Sequence, residues 1–474
     1  MLRDARAVPP GTLVNADVCV VGAGPAGITL ALELAGRGVE VCLLESGGLE
    51  PDPAAQALCA AEVTGEPFER LDESRRRQFG GAANLWNSAV GDAQVGFRCG
   101  PLDPIDLEPR DWLPHYEGWP FGRDELDPFY ARAQRVCALG PFSYGPESWE
   151  DERARRLDVD GGELATSVWQ LGVQHTFTHD HREAVRTAPG LAAYLNANVV
   201  EIETTEAAGE VTALRVATLG GGEFRVAARA YVLATGGVEN ARLLLASDRV
   251  QRGGLGNGHD LVGRYFMAHQ YVRCGELTPR SPELFERATL YDTRRVGGVL
   301  AIGKLDFTAD VLRRERLLNV SAALLPRHRL HKRLRQGSVD SFVALARSAA
   351  RLRLPEDAGR HLRNVVEGLD YVAAAMLRKA SGHRLFRYWV PGPDLINGGG
   401  WAELPDKERR FATFEVILHA EQAPDPDNRV TLTADRDALG NRMPRLHWRW
   451  DEASLDSVRR AQRVLAAALA RTGL

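Results

Sequence analysis

Three short runs in this chain combine residue types that can do chemistry. The first is Gly22-Ala-Gly24-Pro25-Ala26-Gly27. Gly22 permits a tight turn and Gly24 lets the backbone approach a pyrophosphate. Gly27 lets a helix close against a strand, so that the helix N-terminus faces the phosphates. Glu45 follows, with Ser46 beside it, where an acidic side chain hydrogen-bonds ribose hydroxyls. This spacing points to a dinucleotide. A glycine fingerprint alone also fits a plain turn between strand and helix, so its meaning rests on the elements around it.

The second run is Phe79-Gly80-Gly81-Ala82-Ala83-Asn84-Leu85-Trp86-Asn87. Glycine and alanine let backbone amides reach a ligand without side-chain obstruction. Asn84 and Asn87 carry amides that can donate hydrogen bonds. A glycine-rich surface turn anchored by Trp86 is the other reading. The third run, Tyr231-Val-Leu-Ala234-Thr235-Gly236-Gly237, is an apolar strand ending in small residues.

Candidate acid–base residues are His269, His419, His447 and the cluster His175, His179 and His181. His419 lies in an otherwise apolar strand, where satisfied core histidines are common. The spacing of the cluster suits a strand or turn surface as well as a metal. None of the six cysteines makes a CxxC pair, which gives no zinc signature, and no metal is expected.

These residues need elements to hold them. DVCVVG (17–22) reads as a strand buried on both faces, ITLALELAGRG as a helix stopping at Gly36 and Gly38, and VEVCLLES as a second buried strand. Residues 124–138 predict a helix capped by Asp124. Residues 184–197 predict a helix leading to the strand NVVEIETTEA. Residues 318–390 are rich in arginine and read as two or three amphipathic helices. Such faces are usually solvated, though they also suit a lid, a dimer contact or a peripheral membrane surface. The chain ends in the helical pattern ASLDSVRRAQRVLAAALARTG.

The composition is that of a globular chain, with 44% hydrophobic residues and 26% charged. A net charge of -4 excludes a chain that binds nucleic acid through overall basicity. No apolar run is long enough for a signal peptide or a membrane span, so the expected location is the cytoplasm.

In their order, these runs resemble the glucose–methanol–choline oxidoreductase family, over residues 16–105, 165–270 and 411–450. The run at 79–87 resembles the family's glycine-rich segment around the flavin. Leu261-Val-Gly-Arg-Tyr-Phe-Met-Ala-His269 and EQAPDPDNRVTL (421–432) resemble two further family segments. Bacterial sugar-oxidising and aminoglycoside-oxidising members look nearest. The resemblance implies FAD, bound by Gly22, Gly24, Pro25, Ala26, Gly27, Glu45, Ser46, Gly80, Gly81, Asn84, Trp86, Asn87, Val200, Ala234, Thr235 and Gly236. Attachment is expected to be non-covalent, because no histidine occurs between 79 and 90.

The implied activity is oxidation of a small-molecule alcohol, of a sugar or glycoside among others, by hydride transfer to flavin. The electron acceptor is left open, and an oligomer is compatible with the sequence. The implied fold is α/β. A discontinuous Rossmann-like FAD domain (1–105 and 185–270) joins an α+β substrate domain with an antiparallel sheet (106–184 and 271–450, with arginine-rich helices at 326–390). A terminal helix spans 451–474. In the family, the histidine that takes the hydroxyl proton and its partner follow such a helix. Here the sequence ends at Leu474, which reads as a truncated enzyme or as a short variant using an upstream histidine such as His419. The alternatives are a FAD-dependent reductase or hydroxylase of another class, and an inactive FAD-binding protein.

Overall fold

The computed structural model describes residues 1–474 apart from 87, 91–92, 160–161, 174, 329–336, 351–353, 356, 370–371, 374–375 and 377–399. Its opening unit is the expected one: strand Leu13–Val21, helix Pro25–Ala35 and strand Val41–Leu44, the strands pairing in parallel. Cys19, Val20 and Leu43 have no exposed surface, as a continuous apolar run requires when both sheet faces are covered. Pro25 opens the helix, where its missing N–H costs nothing.

These strands are central in a seven-stranded sheet. Its spatial order is Leu2–Asp4, Leu191–Leu195, Val41–Leu44, Leu13–Val21, Glu223–Leu233, Val211–Ala217, Asn198–Thr204. The first five are parallel and the last two antiparallel. Val20 and Leu43 pack on one face with Ile28 and Val185, from helices Pro25–Ala35 and His181–Thr187. Cys19, Val21, Cys42 and Leu44 pack on the other with Leu243, from helix Gly237–Ala246. The architecture is Rossmann-like.

Two local expectations are corrected. Residues 184–197 are not one helix: the helix stops at Thr187 and Leu191–Leu195 is a parallel strand between Leu2–Asp4 and Val41–Leu44. Pro189 and Gly190 (φ 71°) break the helix, and Gly190 then accepts from the Val41 N–H at 2.7 Å. A run as short as LAAYL suits either element, and the vacant sheet position decides. The helix expected from Asp124 runs Arg123–Val136, with Gly122 rather than Asp124 at its N-cap.

The second sheet has eight strands and is antiparallel. Its path is Gln270–Leu277, Phe411–Ala420, Val320–His328, Val299–Phe307, Leu164–Val173, Ala93–Cys99 and Ser88–Val90, with Arg294–Val296 beside Val299–Phe307. Val95–Cys99, counted by sequence with the first unit, hydrogen-bond into this sheet through Gln170–Val173. Phe285, Trp401, Phe411 and Phe414 pack beneath it, Phe285 and Phe414 with ring centroids 4.5 Å apart. The helix Glu452–Arg471 closes the same core with Val458, Ala461 and Leu465. Strands Glu62–Gly65, Arg442–Trp448 and Arg429–Arg436 form a third, small sheet. Of the arginine-rich segment, helices Gly337–Ala350 and Ala358–Glu367 are described, while 377–390 lies outside the described residues. No helix among the described residues is long and apolar enough to cross a membrane.

Asp292 anchors this region. It is 1% exposed and its carboxylate accepts from the N–H groups of Thr293, Gly400 and Ala402 at 2.7, 2.9 and 2.7 Å. Burial pushes its pKa up to about 7 against the pull of those donors. A raised folded pKa means that the native chain holds a proton the unfolded chain has lost, so stability falls as pH rises from 3.8 through about 7. Thermal melts across that window should show this loss. Asp292→Ala, which orphans three buried N–H groups, should be less stable by about 2–3 kcal/mol or more at low pH and should lack that pH-dependent component. A variant with the parent's pH dependence would contradict the assignment.

Candidate functional site

At the carboxyl ends of the central parallel strands, segments far apart in sequence come into backbone contact. Gly22 has φ 101°, and a Cβ there would lie 2.6 Å from the Ala234 carbonyl oxygen. A Cβ on Gly27 would lie 1.9 Å from the Gly22 carbonyl oxygen, and one on Gly81 2.9 Å from the Gly24 Cα. The Ala234 N–H donates to the Val21 carbonyl and the Gly80 N–H to the Ala23 carbonyl, each at 2.8 Å. The three glycine-bearing runs therefore meet at one place, as ligand-binding crevices of such sheets do.

A cavity of about 800 Å³ opens there. Gly22, Gly24, Pro25, Ala26, Glu45, Ser46, Gly81, Trp86, Val200, Ala234, Thr235 and Gly236 all line it. Gly27 and Gly80 stand behind this wall and let it close. Asn84 does not face a ligand: its side-chain amide donates to the carbonyls of Phe79 and Gly81, both at 2.9 Å, and so shapes its own turn. Asn87 lies outside the described residues. Glu45, 5% exposed, uses one carboxylate oxygen for the Ala23 N–H (2.9 Å) and the other for the Gly47 N–H (2.8 Å). It thus ties the fingerprint loop to the end of its own strand, and burial raises its pKa.

The cavity also holds charges that the sequence reading missed. Arg75, Arg76, Arg77, Glu239, Arg242 and Asp437 line it. Glu239 receives Arg77 at 2.6 Å, Arg242 at 3.0 Å and Arg75 at 3.6 Å. Burial alone would raise its pKa, but the three guanidinium groups pull it down to about 2. Arg242 also reaches Asp437 at 2.6 Å. Arg76 makes no ion pair among the described residues, and its buried Nε has no hydrogen-bond partner. Three consecutive arginines directly before the glycine run were the available signal.

A second cavity, of about 920 Å³, shares Pro25, Ala26, Leu30 and Trp86 with the first and is lined further by Arg98, His269 and Tyr271. The segment Leu261–His269 packs on 421–432. The Phe266 N–H donates to the Asn428 carbonyl at 2.8 Å, and the Ala268 N–H to Gln422 Oε1 at 3.2 Å. Ala268 consequently lines the first cavity and His269 the second. The His269 side chain is exposed, with its ring centroid 5.7 Å from that of Tyr271, and partial desolvation together with Arg98 lowers its pKa.

His419 lies behind that cavity rather than on its wall. It is 8% exposed, between the rings of Trp169 (4.9 Å) and Tyr271 (4.3 Å). Arg98 Nη2 lies 3.1 Å from its Nδ1. A guanidinium only donates, so Nδ1 accepts and the proton of the neutral ring sits on Nε2. No lone pair is left to take a substrate proton. The other histidines are elsewhere: His447 is 3.2 Å from Thr64 in the small sheet, His175 and His179 share Asp180, and His181 donates to the Val136 carbonyl. Among the described residues no group of His, Cys, Asp and Glu is placed to hold a metal ion.

A family model described as FAD dependent oxidoreductase matches residues 17–333, more than half of the chain. No curated protein matches it. Among solved structures, the chain is similar to pyridoxine 4-oxidase from Mesorbium loti, at 16% identity and a TM-score of 0.47, over 96% of this chain and 82% of that one. It is also similar to a formate oxidase variant from Aspergillus oryzae RIB40, at 16% identity and a TM-score of 0.42, over 98% of this chain and 82% of that one.

Gly27→Ala tests the crevice. Its Cβ would meet backbone, which cannot move aside as a side chain can, so the helix must shift off the strand. We expect a melting temperature lower by several degrees, as a destabilisation of about 2 kcal/mol or more gives in a domain of ordinary size. Loss of visible flavin absorption after gel filtration should accompany it. A variant with the parent's stability and flavin content would show that the helix and strand do not need this contact.

Proposed function

Since the chain belongs to the FAD dependent oxidoreductase family, we propose that it oxidises an alcohol group of a small molecule, with FAD held non-covalently in the first cavity and the alcohol in the second. The observation that carries this reading is the wall the two cavities share, formed by Pro25, Ala26, Leu30 and Trp86. A ligand filling the first cavity therefore borders a molecule in the second.

The residues present fit FAD. The open space at Gly24, where an added Cβ would meet only the Gly81 Cα at 4.0 Å, lets backbone amides approach a pyrophosphate at the helix N-terminus. The orphaned Nε of Arg76 supplies an uncommitted cation for the same phosphates. Glu45 and Ser46 border the ribose position, and Asn198, Val200 and Glu239 the adenine end. When bound, FAD supplies the acceptor for a hydride.

The protein's own task is to place the alcohol and manage its proton. His269 fits the role of proton acceptor. It lines the second cavity beside Ala268 of the first, its ring makes no hydrogen bond among the described residues, and its lowered pKa keeps it neutral at neutral pH. Sugars and glycosides head the alcohols to test, on the strength of the sequence resemblance.

The purified chain should carry flavin bands through gel filtration, and acid precipitation should release the flavin into the supernatant. Flavin retained in the pellet would sink the non-covalent assignment. With an alcohol that is turned over, His269→Gln should lower kcat by about 10²–10³-fold at unchanged flavin content. In the parent, kcat/KM should fall only below the ordinary histidine range as pH drops. Unchanged kcat in the variant would remove His269 from the reaction.

A further inference from the structure

Building on that reading, we propose that the alcohol accepted in the second cavity also carries a carboxylate, held by Arg98. Arg98 comes from strand Ala93–Cys99, and its guanidinium stacks 4.1 Å from the Trp169 ring centroid. Nη2 makes two hydrogen bonds, to the Tyr271 hydroxyl and to His419 Nδ1, each 3.1 Å. Nε and Nη1 are left without a hydrogen-bond partner among the described residues.

What surrounds this guanidinium sets it apart from the other arginines of the cavity. Arg132 pairs with Glu33 at 2.6 Å, and Arg37 reaches the same carboxylate at 3.9 Å. Lys304, which also lies over the Trp169 ring, pairs with Asp306. Arg98 has no carboxylate partner among the described residues. Its two acceptors, a phenol oxygen and a neutral imidazole nitrogen, fix its orientation without cancelling its charge. His419 is locked as that neutral acceptor, because burial, Arg98, His269 and Lys304 all disfavour its protonated form. The result is an oriented cation with unspent donors on a cavity wall that also carries the apolar Val95, Phe97 and Phe177, while the other charges there, Arg132, Arg37 and Glu33, pair with one another. A planar carboxylate matches the donor fork of a guanidinium, and a neutral hydroxyl leaves the charge uncompensated.

The test is calorimetric binding of phenylacetate and of its uncharged isostere phenylacetamide to the flavin-loaded protein. Neither compound is an alcohol, so no turnover interferes. We expect phenylacetate to bind at least tenfold more tightly than the amide. Arg98→Gln should abolish the preference, and Arg98→Lys should keep part of it. If Arg98→Gln does not fold, a reduced preference in Arg98→Lys carries the same information. Equal affinity for acid and amide, binding of neither, or a preference that survives Arg98→Gln would each overturn the assignment. The two readings fail separately. An Arg98-dependent preference in a protein that oxidises no alcohol would remove the oxidation reading alone. Turnover of neutral alcohols without any carboxylate preference would remove only the anion subsite.

Discussion

The site depends on a steric constraint: three backbone segments pass close to one another at positions that carry no Cβ. Gly22 and Ala234, Gly27 and Gly22, Gly81 and Gly24 are each too near for a side chain between them. Polar backbone thereby concentrates at the ends of the parallel strands, with N–H groups free to face a ligand. The sheet supplies the rigidity for this, since Val18–Val21 pairs with Val41–Leu44 on one side and Ala230–Leu233 pairs with Val18–Val21 on the other. Glu45 adds a polar clasp, joining the first loop to the second strand through two backbone hydrogen bonds.

Much of this was legible because it is local. The fingerprint, its strands and Glu45 lie within some thirty residues, and each glycine has a steric reason that holds in any sequence with that spacing. The small-residue runs that begin at Gly80 and Ala234 were legible for a similar reason, since bulky residues do not fit where backbone segments approach this closely. The misses share a different cause. Asn84 could donate to a ligand or to its own turn, and only the folded loop shows that it does the latter. Strand Leu191–Leu195 exists because a sheet position is vacant, which a five-residue apolar run does not announce. The charges of Arg75 and Arg77 were visible, yet their convergence with Glu239, over 160 positions on, was not.

The histidines show how neighbours decide function for identical side chains. His419 looked like the candidate base from its strand, but Arg98 occupies its accepting nitrogen. His269 was one of several candidate histidines in the sequence, and the packing of 261–269 on 421–432 delivers it to the wall of the second cavity. The two cavities also differ in their electrostatics. The first balances most of its cations against Glu239 and Asp437, whereas the second holds Arg98 between neutral acceptors.

Arg242 gives the order of assembly. Its guanidinium touches Glu239 on its own helix, the Leu58 carbonyl, Asp437 and the Arg442 carbonyl, contacts that span 184, 195 and 200 positions. Asp437, Leu439 and Asn441 form part of the same cavity wall. A ribosome making this protein releases the glycine fingerprint some four hundred residues before that wall. The nascent chain consequently exposes a crevice that is not yet enclosed, and such long-range closures come late in folding. A chain interrupted before residue 437 would therefore present the glycine loop without this part of the cavity wall.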